Sequence, residues 1–212
     1  MVEFLQKSWG SFSEERAKTY LKTSGSPSMR SRQLLAEVLT DYGRSHLLSV
    51  IDLGCGNGQL YEPLRDTGAI ARYVGVDFSM PLLEAARQAF AGDSRAEFLQ
   101  DDVSALDKVT ERFDFVIYSH VIEMLASPEL SLRRASQVAD RILIRFFEPP
   151  EFDAVTVELR EMDVGTDSTV PYIRWKMSRD YYRLILSGLG CTRVDIYQAD
   201  GDKDQVHVLH FR

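Results

Sequence analysis

The feature that most constrains the fold is an alternation. Short apolar runs recur along the middle of the chain: SVIDL (49–53), RYVGVD (72–77), AEFLQ (96–100), FDFVIYS (113–119) and RILIRFF (141–147). Several are too continuously apolar for a sheet with one wet face, so they read as strands buried on both sides. Between them lie helical patterns: GQLYEPLRDTG closing on Gly68, SMPLLEAARQAFAG from Ser79 to Gly92, and SPELSLRRASQVA opening at Ser127 with Pro128 just inside. Serine caps, an early proline and terminal glycines are the expected punctuation. Strand–helix alternation at this spacing gives right-handed crossovers and a parallel sheet covered by helices on both faces. The expected class is α/β, doubly wound.

Elements are added at both ends. Residues 1–45 read as a helical cap: one helix from Ser13 to about Thr23, the break SGSPS, then MRSRQLLAEVLTDYG ended by Gly43. Residues 49–147 form the expected ligand-binding core, and 148–178 an insertion in which VTVELREM and VPYIRWKMS flank the turn-forming DVGTDST, the pattern of a β-hairpin. Residues 179–212 contribute a helix and two alternating strands, 192–198 and 205–211, joined by ADGDKD as an edge hairpin. With 212 residues and 44% apolar side chains, one domain over 1–212 is expected. A net charge of −7 disfavours nucleic acid and anionic lipid as partners. Two cysteines far apart, no apolar run of membrane-spanning length and no leader pattern lead to an expectation of a soluble, cytoplasmic protein.

Directly behind the first strand stands IDLGCGNGQL (51–60), a glycine-rich turn leading into a helix at the carboxyl end of the sheet, where open α/β folds bind ligands. Gly54, Gly56 and Gly58 let the backbone bend sharply and a ligand approach its N–H groups. The spacing is one residue shorter than the dinucleotide pattern, and Asp52 precedes it. That carboxylate repels a diphosphate and attracts a ligand carrying positive charge, such as S-adenosylmethionine, which has an ammonium, a sulfonium and no phosphate. Asp77, at the tip of the second strand, is placed to accept both hydroxyls of a ribose. In QDDV, Asp102 is placed for the adenine amino group and Val103 for a backbone N–H, with Phe78 and Met80 covering the adenine faces.

VIDLGCGNGQL, YVGVDFSMPLLEAA, FLQDDVSAL and FDFVIYSHVIEML resemble, in order and at normal spacing, the signatures of the class I S-adenosylmethionine-dependent methyltransferases. The resemblance implies a Rossmann-like seven-stranded sheet with its last strand antiparallel. It implies that Asp52, Gly54, Cys55 and Gly58 cradle the methionine part of the cofactor, and that Asp77 holds ribose and Asp102 with Val103 holds adenine. It also implies that Tyr118, Ser119 and His120 face the methyl group and the acceptor, and that the N-terminal helices close over the cofactor with Trp9, Phe12, Arg16 and Tyr20. Tyr20, Arg30 or Arg32 then meets the methionine carboxylate. The chain departs from the family twice: QVADRILIRFFEPPE lacks the frequent PGG-like turn, and Met124 stands where a histidine is common.

His120 is the candidate general base, set against a capping or packing role; methyl transfer can also proceed by alignment alone. Cys55 reads as a small turn residue and not a nucleophile. His207 and His210 fall on opposite faces of a strand, and His46 in a solvated loop, so no metal is expected. For the acceptor, Tyr172, Arg174, Trp175 and Lys176 in the insertion are the candidates, with Arg179 and Arg183 nearby. This local basic excess either reads a carboxylate or phosphate or, the slightly favoured reading, coats a solvent face and balances Glu158, Glu161 and Asp163. The expected function is methyl transfer from S-adenosylmethionine, leaving S-adenosylhomocysteine, to an oxygen or nitrogen of a small metabolite. The alternatives are an RNA or protein methyltransferase, a non-catalytic cofactor-binding regulator, and a nicotinamide-dependent oxidoreductase, the last disfavoured by the short glycine spacing and Asp52.

Overall fold

A computed structural model describes residues 8–24, 30–165 and 167–211, without the side chains of 21–24. The strands of the alternation form where expected: β1 Leu48–Leu53, β2 Ile70–Asp77, β3 Ala96–Gln100, β4 Phe113–Ser119 and β5 Ala139–Phe146, all paired in parallel. β8 (Arg193–Gln198) and β9 (Gln205–His210) complete a seven-stranded sheet of order β3-β2-β1-β4-β5-β9-β8. β9 runs antiparallel to both β5 and β8, so it is an interior strand and β8 is the edge. His207 is accordingly buried, its ring nitrogens facing the Tyr182 hydroxyl at 3.2 Å and the Gln205 carbonyl at 2.9 Å.

Side chains alternate across β4. Phe115 and Ile117 pack on the face covered by α2 (Arg30–Tyr42), α3 (Tyr61–Asp66) and α4 (Met80–Ala89). Val116 and Tyr118 pack on the face covered by α5 (Pro128–Val138) and α6 (Arg179–Gly188). A strand buried this way needs apolar residues on both sides, which is why the runs read as continuous. Ser79 and Ser127 stand at helix N-caps as expected, yet neither side chain makes a capping bond; Ser178 does, accepting from the Tyr181 N–H. The backbone N–H of Ser79 itself donates to Asp77 Oδ1 at 2.8 Å, which ties the start of α4 to the tip of β2.

α1 (Glu14–Ser24) lies over the carboxyl ends of the sheet, packed on α4. The inserted hairpin forms as a separate two-stranded ribbon, β6 (Thr156–Gly165) with β7 (Ser168–Lys176). Cap and ribbon are fastened together: the Ser13 N–H donates to Val164 O at 3.0 Å, and Arg16 Nε bonds Asp163 at 3.1 Å. Among the described residues, no helix is long and apolar enough to cross a membrane.

Candidate functional site

The bend after β1 is built from residues that could not be otherwise. Gly54 and Gly56 have φ of 77° and 58°, in the left-handed region, and a Cβ on Gly54 would stand 2.6 Å from the Val121 side chain. The Gly56 N–H donates to Asp77 Oδ2 at 2.9 Å, tying the bend to the tip of β2. Between Gly56 and Gly58, Asn57 Nδ2 donates to Ala17 O of α1 at 2.9 Å, and just after them Gln59 Oε1 accepts from Arg32 Nη1 of α2 at 3.2 Å. The loop therefore anchors both cap helices. These two tethers are invisible to local sequence reading, because their partners lie 40 and 27 residues away.

Above the bend lies a cavity of about 920 Å³. Asp52, Asp77 and Asp102 line it on one side, with Gly54, Cys55, Gly56, Phe78, Val103 and Tyr20. Asp52 is 1% exposed; the Tyr73 hydroxyl donates to its Oδ2 at 2.6 Å, while its Oδ1 is buried with no partner. Burial pushes its carboxyl up to about 7, against the Tyr73 bond, with Asp77 adding repulsion and Arg145 and Arg32 opposing. Asp77 is likewise raised by burial, opposed by the N–H groups of Ser79, Gly56 and Phe78. Arg32 has the reverse problem: burial and the nearby Arg145 lower its guanidinium to about 10. A cavity that holds orphaned acid and crowded cation side by side suits a ligand carrying both signs of charge.

Toward β4 and β5 the lining changes. Ser119 and His120 follow β4, and Arg145, 1% exposed, rises from β5. Arg145 donates to Ser119 Oγ at 3.0 Å and to His120 Nδ1 at 3.2 Å. Because an arginine only donates, His120 Nδ1 accepts, and the ring proton sits on Nε2, which bonds Asp204 Oδ2 at 2.6 Å. Burial lowers the His120 pKa to about 4, with Arg145 working in the same direction against Asp204. Its backbone, at φ of 60°, is in the left-handed region. Asp204 also accepts from Ser31 Oγ at 2.9 Å and Arg145 Nε at 3.4 Å. Neutral, with both ring nitrogens engaged, His120 is set as a brace.

Known proteins share this core. A methyltransferase-domain family model matches residues 50–143. The DhpI–S-adenosylhomocysteine complex superposes with a TM-score of 0.72 at 18% identity, covering 99% of this chain and 98% of that one. Residues 50–143 thus resemble a methyltransferase domain, and the fold is the Rossmann-like methyltransferase fold. Among curated relatives, the ubiquinone biosynthesis O-methyltransferase of Azorhizobium caulinodans is 36% identical over 94 residues, 44% of this chain and 36% of its own length. The ribosomal RNA large subunit methyltransferase G of Shewanella amazonensis is 42% identical over 69 residues, 31% of this chain and 18% of its own. The chain thus spans about a third or less of the curated relatives it matches here. Relatives named for a quinone pathway and for RNA share the same core, so that core is blind to the acceptor.

The methyltransferase cavity includes most of the residues expected from sequence, but not all. Tyr118 does not line it: the alternation along β4 turns the ring into the opposite core, where its hydroxyl meets Ser131 at 2.7 Å. Met80, at the start of α4, is 40% exposed and lies outside the lining, as does Gly58, whose missing Cβ makes room for Phe90 and Phe98. In the ribbon, Tyr172 and Arg174 reach the cavity, whereas Lys176 pairs with Glu158 and Trp175 donates to Leu125 O at 2.8 Å. Arg179 and Arg183 pair with Asp153 and Asp180. The solvent-face reading therefore describes Lys176, Arg179 and Arg183, and fails for Arg174. His46 is bonded to Asp114 at 3.1 Å. Residues that sequence reading missed are Arg145 and Asp204, concealed in a strand and a turn, and Glu123, 1% exposed, whose Oε1 accepts from the N–H groups of Phe147 and Glu148. Arg30 pairs with Glu37 at the surface and Arg32 lines the cavity, which separates two candidates that sequence left level.

Proposed function

We propose that this chain transfers the methyl group of S-adenosylmethionine to an oxygen or nitrogen of a small molecule, and does so mainly by alignment. The observation that carries this is the continuity of the cavity, from Asp52 and Asp77 at the tips of β1 and β2 to His120, Arg145 and Arg174, under a roof of cap and ribbon. Its size, about 920 Å³, is at the upper end of small-molecule sites. Bound there, S-adenosylmethionine supplies a methyl group on a positively charged sulfur. Asp52, whose Oδ1 is unanswered, holds positive charge on the methionine part, and Arg32 meets its carboxylate. Asp77 gives one lone pair of each oxygen to Ser79 and Gly56, leaving a second on each for ribose hydroxyls. Phe78, Asp102 and Val103 complete the adenosine side.

His120 is assigned a positioning role: with Nδ1 facing Arg145, it has no free lone pair for an acceptor proton, and it keeps Arg145 and Ser119 at the mouth of β4. Holding acceptor, methyl carbon and sulfur in line in a water-poor site can provide the greater part of the acceleration. An RNA acceptor is disfavoured because Lys176 of the ribbon and Arg179 and Arg183 of α6, which would face a backbone, are answered by Glu158, Asp153 and Asp180.

Thermal unfolding with S-adenosylmethionine, S-adenosylhomocysteine, NAD or buffer tests the reading. At a hundred times its dissociation constant a ligand adds about 2.7 kcal/mol. A shift with both adenosyl compounds and none with NAD is expected; a response to NAD alone refutes it. Asp77→Ala is expected to remove most of that shift and, since two N–H groups lose their acceptor, to cost the apo protein about 1–3 kcal/mol as well.

A further inference from the structure

Five arginines line the cavity: Arg16, Arg32, Arg134, Arg145 and Arg174. Four are answered. Arg16 bonds Asp163, Arg32 bonds Gln59, Arg134 bonds Ala105 O and Gln137, and Arg145 bonds Asp204, Ser119 and His120. Arg174 is not. It is 7% exposed, its Nη2 donates to the Tyr172 hydroxyl at 3.2 Å, and its Nε and Nη1 are buried with no hydrogen-bond partner. Those two nitrogens carry three of a guanidinium's five N–H groups. The guanidinium lies over the Phe147 ring, 4.3 Å from its centroid, a contact that satisfies none of those donors. Glu123, a buried acid in its field, gives Oε1 to two backbone N–H groups, leaves Oε2 unbonded and makes no ion pair with Arg174 among the described residues. A cation stripped of water and left unpaired is destabilising by several kcal/mol, so its presence in a cavity wall marks a place completed by something else.

We propose that the acceptor is a small carboxylic acid whose carboxylate docks on Arg174, the guanidinium turning about its last torsions to meet it. This rests on the methyl-transfer reading above. Arg174 stands on the ribbon against Phe147, just past the end of β5, and His120 meets the same ring edge-on, so Arg174 belongs to the acceptor side of the cavity and not to the adenosine side. Among the arginines of the cavity only Arg174 leaves buried N–H groups without an acceptor, and one such guanidinium matches one delocalised negative charge. Trp9, Tyr20 and Tyr172 form a continuous aromatic wall beside it, with Trp9 5.9 Å from Tyr172 and 6.4 Å from Tyr20, suited to a flat apolar body behind the carboxylate. Carboxylate selection then precedes chemistry: the charged end is anchored on the ribbon while a hydroxyl or amine elsewhere on the molecule is presented to the methyl group.

The test uses the full chain saturated with S-adenosylhomocysteine and a panel of small aromatic and aliphatic carboxylates, including 3,4-dihydroxybenzoate and phenylacetate, each beside its neutral amide. Added thermal protection is expected from carboxylates and not from their amides. Arg174→Met is expected to weaken the protecting carboxylates roughly ten-fold or more, and Arg174→Lys by less, with the S-adenosylhomocysteine shift unchanged in both. Equal protection by acids and amides, no protection by any acid, or acid protection unaltered in both variants overturns the proposal while leaving the methyl-transfer reading intact. Loss of the S-adenosylhomocysteine shift in both variants moves Arg174 to the cofactor and also overturns it. Absence of that shift in the unsubstituted protein defeats the underlying reading instead.

Discussion

Asp52→Asn separates what the fold needs from what the ligand needs. In the free protein the Asp52 carboxyl is raised by burial from 3.8 to about 7. For an acid, a raised native value means that the native state binds the proton more tightly than the unfolded one, so stability is greatest at low pH and declines between pH 3.8 and about 7. At 1.36 kcal/mol per pH unit the full loss is about 4 kcal/mol, of which about 3 falls between pH 5 and pH 8. Asparagine keeps an oxygen for the Tyr73 hydroxyl and never ionises. The difference in unfolding midpoint between Asp52→Asn and the unsubstituted protein should therefore grow in the variant's favour from pH 5 to pH 8, by roughly 6–12 °C for a chain of this size. Groups titrating in both proteins, Glu123 among them, cancel in the comparison. With S-adenosylhomocysteine added the order should reverse in the ligand's contribution: the variant gains less protection, because the charge that meets the methionine ammonium is gone. A difference in midpoint that does not change from pH 5 to pH 8 would refute the account of Asp52, and equal ligand protection would remove it from the cofactor site.

Three further outcomes follow from the geometry. Gly54→Ala forces a side chain into a left-handed backbone and against Val121, and should lower stability by about 2–5 kcal/mol in urea unfolding; a loss under 1 kcal/mol would mean that the bend is more pliable than described. In Asp204, burial raises the carboxyl but the bond and charge of His120, with Ser31 and Arg145, outweigh it and leave the value below 3.8. Its contribution is therefore present at neutral pH and lost as pH falls through that depressed value. Asp204→Asn should cost about 3 kcal/mol or more at pH 7, narrowing toward acid; a gap that widens in acid contradicts the pairing. His120→Asn should lower the methyl-transfer rate without altering the shape of its profile between pH 6 and 8, since the ring titrates near 4. A rise centred near 6.5 that disappears in the variant would restore His120 as a base.

The strands and the order of the acidic tips were legible because each rests on neighbouring residues: apolar runs, glycines in sequence, acids at the ends of β1, β2 and β3. What was not legible depended on partners distant in sequence. Tyr118 and Ser119 stand side by side in YSH, yet the alternation along β4 sends the tyrosine into the opposite core, against Ser131 of α5. Lys176 and Arg174 look equally basic, and only pairing across the ribbon, Glu158 opposite Arg174 in register yet bonded to Lys176, separates them. Arg145 lies in an apolar strand where composition marks it as an intrusion, a signal that could have been read, but its partner Asp204 sits in a turn whose acids all look alike.

The β6–β7 ribbon shares no ladder with the seven-stranded sheet. Its residues can therefore be exchanged without disturbing the register of β1 to β5, on which the adenosine side is built. If the ribbon reads the acceptor as proposed, a lineage that keeps the glycine bend and rewrites only this strip would change what is methylated while keeping how, and two proteins with near-identical cores would differ in customer by a few positions on one hairpin.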